Sequence, residues 1–111
     1  MTLTVIGAGY VGLVTAAIFS HFGNTVYCVD VSQEKIELLK KGKVPFWEPS
    51  LSGYIAESVK KGLLIFTTSY DQAVTKSKII FICVGTPSKQ NGEADLSFGF
   101  SAVAKAAKYI K

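Results

Sequence analysis

The sequence lacks the features that mark most specialised chains. It has only two cysteines, Cys28 and Cys83, too few for the disulfide framework of a small secreted domain. Both fall inside apolar runs that read as strands, so they are expected as buried free thiols in a reducing, cytoplasmic setting. No apolar stretch reaches the roughly 18 residues of a membrane span, which argues against a membrane-spanning helix. The apolar N-terminus has no basic region or cleavage site, and its glycines come too early for a signal peptide. Repeats, low-complexity segments and Pro/Ser-rich linkers are absent, and there are only three prolines. No basic run is interleaved with aromatics. The net charge of +4 comes from lysines at expected helix ends (Lys40, Lys41, Lys60, Lys61, Lys105, Lys108), where cations suit the helix dipole. That pattern speaks against a nucleic-acid partner and is compatible with a small anionic ligand such as a nucleotide.

What is present is core material. At 111 residues, 49% of them hydrophobic, the chain can form one domain with a real core. Thr2 to Ile6 reads as a strand, rich in β-branched residues. Val11 to Phe22 is apolar nearly all round, as a helix buried on most sides would be. A second strand is expected over Thr25–Val29 and ends at Asp30. Ser32 is the expected N-cap of a helix running to Lys41, with Ile36 and Leu39 facing inward. After the irregular "KVPFWEP", Pro49 opens a helix whose apolar residues Leu51, Ile55 and Val59 recur every four positions. A third strand (Leu63–Thr67) is followed by Ser69 and Gln72 at capping-box spacing, which opens a short helix to about Lys76. The fourth strand is expected over Lys78–Val84 and the last helix over Phe98–Ile110. Strands alternating with helices imply a parallel sheet with right-handed crossovers. Its continuously apolar strands read as covered on both faces.

"GAGYVG" at positions 7–12 supplies the spacing G-x-G-x-x-G between the first strand and the first helix. Gly7 permits the tight turn. Gly9 lets a pyrophosphate approach the backbone, and Gly12 lets the helix lie close to the strand. The helix N-terminus then offers amide groups and positive dipole to phosphates. Asp30, closing the second strand, suits the adenosine ribose hydroxyls and would repel a 2′-phosphate. Val31 and Ser32 offer no arginine to receive one, so NAD is favoured over NADP. The fold class is therefore α/β, a Rossmann-type parallel sheet in the order 3-2-1-4 with helices on both faces. In that order the loop after Val84 faces the glycine turn. Gly85-Thr86-Pro87 would end the fourth strand beside the cofactor, and the long segment from Ser88 to Asp95 has room to form a wall.

Three segments together, "GAGYVGL" at 7–13, "PFWEPSL" at 45–51 and "CVGTPSKQNGEADLS" at 83–97, make the chain resemble the UDP-glucose/GDP-mannose dehydrogenase family over essentially its whole length. The resemblance implies oxidation of a nucleotide sugar's C6 alcohol to a carboxylate, in two hydride transfers to two NAD. It implies a catalytic cysteine that forms a thiohemiacetal and then a thioester. The implied cofactor-binding residues are Gly7, Gly9, Tyr10, Val11 (through its backbone), Gly12, Asp30, Lys35 and Thr86, with Tyr10 expected chiefly to pack. The aromatic before Glu48-Pro49 leans toward UDP-glucose, although Trp47 stands where tyrosine is common. Glu48 is expected as an N-cap, and His21 and Trp47 as packing residues. In the family the nucleophile and the substrate domain lie well beyond position 111. Residues 1–111 thus read as the N-terminal part of an NAD-binding domain, without catalytic residues or activity of its own. The fourth strand, left at an edge, is expected to support self-association.

Two other classes share the glycine turn and the acidic residue. One is a nicotinamide-sensing regulatory module, as in cytosolic gating domains of ion channels. The other is a dehydrogenase acting on a hydroxyacid. Within the family itself, a GDP-mannose or UDP-N-acetylhexosamine dehydrogenase stays open. The "VGTP" and "PFWEP" segments favour the sugar dehydrogenase.

Overall fold

A computed structural model describes residues 1–45, 48–85, 90–93 and 95–110. Four strands, β1 (Thr2–Ile6), β2 (Thr25–Val29), β3 (Leu64–Thr67) and β4 (Ile79–Ile82), form one sheet in the order β3-β2-β1-β4. Every pairing is parallel, as the alternation of elements requires. The helices are α1 (Tyr10–His21), α2 (Gln33–Lys40), α3 (Pro49–Lys60), α4 (Tyr70–Val74) and α5 (Ser97–Ala107).

Strand alternation sorts the core into two layers. Leu3, Val5, Val26, Cys28, Leu64 and Phe66 face one side and pack against α1, α2 and α3. Ile6, Tyr27 and Val29 face the other and pack against α4 and α5. The first layer is held by α2 through Ile36 and Leu39 and by α3 through Leu51 and Ile55. Burying a side chain such as Ile55 completely stabilises the fold by about 2–3 kcal/mol. The helix starts follow local chemistry. Ser32 Oγ accepts the Lys35 N–H (3.2 Å) and Ser69 Oγ accepts the Gln72 N–H (3.1 Å), both expected caps. Glu48 does occupy the N-cap position of α3, but its carboxylate accepts from Ser50 Oγ (2.9 Å) and no side-chain cap bond forms.

Several expectations need correction. β4 is shorter than its apolar run, because its partner β1 has only five residues and turns away at Gly7. β4 is also not covered on both faces: Ile79 is 41% and Ile82 37% exposed. Helix α1 is not buried on most sides. Its small residues Gly12, Ala16, Ala17 and Ser20 face inward with Leu13, while Val11, Ile18 and Phe22 are exposed. Only one side of it meets the sheet and α3, so apolar composition all round overstated its burial. Cys28 is buried as expected; Cys83 lies just past β4 and is half-buried. Helix α5 ends at Ala107, short of Ile110. His21 packs edge-on against Tyr54, ring centroids 4.8 Å apart. Phe46, Trp47 and the 86–89 segment, with Thr86, lie outside the described residues. Among the described residues no helix is long and apolar enough to cross a membrane.

Candidate cofactor-binding site

The parallel sheet brings all its strand C-termini to one edge, and there β1 and β4 diverge toward helices on opposite faces. A ligand in such a fold lies where the strand order reverses. A cleft of about 800 Å³ opens at that point. The glycine turn forms its floor, Asp30 and Val31 one flank, and the end of β4 with α5 the other.

Each glycine of the turn has a separate physical reason. Gly7 sits at φ +105°, in the left-handed region, and a Cβ there would come within 2.6 Å of the Cys83 carbonyl oxygen. The turn therefore needs both the conformation and the absence of a side chain. At Gly12 a Cβ would stand 1.7 Å from the Gly7 carbonyl oxygen, so helix and turn touch backbone to backbone. At Gly9 a Cβ would meet nothing within 4 Å. That space faces the cleft, and Gly9 is an N-cap with no side chain to satisfy the first turn of α1. No acidic residue stands in that turn either. The amides of α1 are thus available to an anion approaching over Gly9. The cradle fits a dinucleotide pyrophosphate.

Asp30 is tied into the same turn. Its Oδ2 accepts the Ala8 N–H (2.9 Å), its Oδ1 accepts the Ser32 N–H (2.9 Å), and Lys35 Nζ lies 3.5 Å from Oδ2. The Asp30 side chain is 12% exposed and that of Lys35 38%. Oδ1 keeps a second lone pair for a ribose hydroxyl, while Lys35 stands beside Oδ2. Tyr10 and Val11 are exposed and line the cleft mouth.

Of the sequence-expected site residues, the structure gathers Gly7, Gly9, Tyr10, Val11, Asp30 and Lys35 around one cleft, with Gly12 packed beneath it. Thr86 falls outside the described residues, as do Ser88, Lys89 and Ala94 of the segment from Ser88 to Asp95. The far wall was missed by sequence reasoning: Tyr70, Phe98, Ser101 and Lys105 also line the cleft. Lys105 Nζ stands over the Tyr70 ring, 4.9 Å from its centroid. Burial, and then the Asp30 charge, push the Tyr70 phenol up from its ordinary value. Tyr70 opens α4 just past β3, at the ligand edge of the sheet, and that position was the available signal. Nothing local singles out Lys105, 35 residues further on.

Neither thiol is prepared for nucleophilic work. Burial, reinforced by Asp30, pushes Cys28 up to about 12. Burial also raises Cys83, partly offset by a hydrogen bond with the Thr15 hydroxyl. Among the described residues no group of three His, Cys, Asp or Glu side chains is placed to hold a metal ion.

Comparison with known proteins agrees with this geometry. Residues 1–111 match the family model for the UDP-glucose/GDP-mannose dehydrogenase family, NAD binding domain. A UDP-glucose 6-dehydrogenase of Rhizobium meliloti (strain 1021) is 47% identical over 112 residues, covering all of this chain and 26% of that protein. One from Bacillus subtilis (strain 168) is 42% identical over 111 residues, again covering the whole chain and 25% of the relative. Among solved structures, a ternary complex of GDP-mannose dehydrogenase from Pseudomonas aeruginosa superimposes with a TM-score of 0.91. It is 42% identical, covering 96% of this chain and 24% of that one. The chain spans about a quarter of the length of the curated relatives it matches. With its glycine turn, its Asp30 and a cleft at the strand-order reversal, the chain belongs to the UDP-glucose/GDP-mannose dehydrogenase family as an NAD-binding domain.

Proposed function

We propose that these residues are the N-terminal part of the NAD-binding domain of a UDP-sugar 6-dehydrogenase, converting UDP-glucose to UDP-glucuronate with two NAD reduced. The observation that carries this reading is the open space over Gly9 beside a nearly buried Asp30 carboxylate. It is supported by the two UDP-glucose 6-dehydrogenases that the chain resembles along its whole length. NAD, when bound, supplies the hydride acceptor. The chain's own residues bind and orient it. Gly7 makes the turn, Gly9 admits the pyrophosphate, Gly12 seats the helix, and the Val11 amide faces the phosphates. Tyr10 lies at the rim. Asp30 accepts from the adenosine ribose hydroxyls with Lys35 beside it, and Thr86 serves the nicotinamide side.

In this reading the nucleophilic cysteine and the substrate domain belong to the rest of a cytoplasmic enzyme, and the 111 residues alone oxidise nothing. They also self-associate, a second copy covering the exposed Ile79 and Ile82 of β4 or the exposed Phe100 and Val103 of α5. Calorimetric titration of the chain with NAD and NADP tests the cofactor assignment; equal affinity for the two would sink the role given to Asp30. Following NADH formation by the parent enzyme over UDP-glucose, GDP-mannose and UDP-N-acetylhexosamines tests the sugar. A preference for GDP-mannose would move the protein to that branch. Light scattering over a concentration series tests self-association, which Phe100→Glu should weaken if α5 is the contact.

A further inference from the structure

Helix α1 carries an uncovered seam. Val11, Thr15, Ile18 and the C-cap Phe22 follow one another at spacings of four, three and four residues, which puts them on one side of the helix. Val11 is 63%, Ile18 49% and Phe22 77% exposed, and Thr15 is half-buried. Beside the seam, Phe19 stacks on Phe81 of β4 with ring centroids 5.3 Å apart. Ile79, two residues earlier on that strand, faces the same side and stands open. Together these side chains expose roughly 500 Å² of apolar surface, near the upper end for one patch on a monomer and close to one copy's share of a small specific interface.

Two properties of the seam fit a second copy of the same chain. Its four positions are symmetric about their midpoint. An antiparallel pair of α1 helices about a twofold axis therefore sets Val11 against Phe22 and Thr15 against Ile18, a small side chain against a large one in every layer. Helix α1 also contains no Asp, Glu, Lys or Arg. A chain of net charge +4 thus meets its copy here without like charges opposed, and no charge selects a different partner.

We propose that α1 is the surface through which two copies of this chain associate, antiparallel about a twofold axis, with Phe19, Ile79 and Phe81 flanking the contact. Val11 also lines the cleft, so Phe22 of the second copy completes its rim. This names the surface of the self-association proposed above and rests on that reading.

Sedimentation velocity of the chain over a concentration series is the test. The wild type should pass from monomer to dimer as concentration rises. Ile18→Glu, which sets a carboxylate into both middle layers, should weaken the dimer roughly a hundredfold or more. Ile18 is exposed in the single chain, so the variant should keep the circular dichroism and melting temperature of the monomeric wild type. If it does not fold, Phe22→Glu, at a still more exposed position, replaces it with the same expected loss. Thr15→Lys should also be monomeric. Mixing it with Ile18→Glu should restore a dimer, because the antiparallel arrangement sets position 15 of one copy against position 18 of the other. Phe100→Glu should dimerise like the wild type. A folded Ile18→Glu that associates as tightly as the wild type overturns the proposal, and so does a mixture of the two folded variants that stays monomeric. Loss of the dimer in Phe100→Glu but not in Ile18→Glu overturns the α1 surface and leaves self-association standing. A wild type that is monomeric at every concentration overturns both.

Discussion

Leu3 and Ile79 are register partners on adjacent strands, yet Leu3 is 2% exposed and Ile79 41%. Both belong to apolar runs of similar composition. The difference is cover: β1 has a strand on each side and helices on both faces, whereas β4 is an outer strand that leaves Ile79 open; β3 is outer too, but helix packing buries its Leu64 and Phe66. The same contrast separates the two ends of the cleft. The glycine turn is fixed by backbone contact and by Asp30, while the β4–α5 wall carries exposed side chains such as Phe98. Apolar sequence therefore reports the capacity to be covered, and topology decides whether covering happens.

The largest expected effect lies in the anchored half. Gly12→Ala forces a Cβ to within 1.7 Å of a carbonyl oxygen and should cost more than about 3 kcal/mol, a large share of a domain's net stability, read as a marked fall in melting temperature. Gly9→Ala meets no atom, so its melting temperature should stay near the wild type while NAD affinity falls. Equal destabilisation by both would erase the distinction between packing glycine and ligand glycine. Next comes the partner pair itself. Leu3→Ala should cost about 2–5 kcal/mol in a denaturant titration. Ile79→Ala should cost under about 1 kcal/mol, unless a second copy covers β4, in which case the cost grows with protein concentration.

A pH experiment sharpens the comparison at the level of one thiol. Cys28 is held protonated up to about 12 against an ordinary 9.0. Between those values the unfolded chain has lost the proton and the folded chain keeps it. Stability is thus undiminished below pH 9 and falls as pH rises toward 12. Cys28→Ala should be less stable at neutral pH but show a shallower alkaline decline in urea midpoints. An unchanged slope would assign the alkaline loss to other groups. The smallest effect concerns the loosely held wall. Lys105→Met removes a cation from the Tyr70 ring and should cost about 0.5–1 kcal/mol, read as a small shift in melting temperature.

Much of this was legible in the sequence for identifiable reasons. The order of elements, the sheet order and the glycine turn follow from spacings that admit few alternatives: Gly7, Gly9 and Gly12 after a strand, and Asp30 at the end of the next. Ser32 and Ser69 announced their caps through local hydrogen-bonding chemistry. What was not legible depends on contacts far apart in the chain. Tyr70 and Lys105 meet only because α4 and α5 share a face of the sheet. The exposure of Val11, Ile18 and Phe22 depends on which neighbours α1 has, and its composition does not encode that.

The division of the core into two layers has a consequence in time. The buried members of the first layer all lie between Leu3 and Phe66, so that side of the sheet can close while the chain is still being made. The second layer waits for Ala102 and Ala106. At about 5–20 residues per second of synthesis, the 40 residues between Phe66 and Ala106 take roughly two to eight seconds. For that interval Ile6, Tyr27 and Val29 lack the α5 part of their cover. A nascent chain halted there would present a half-clothed sheet to chaperones, and a slow codon placed before α5 would lengthen the exposure without altering one residue of the finished protein.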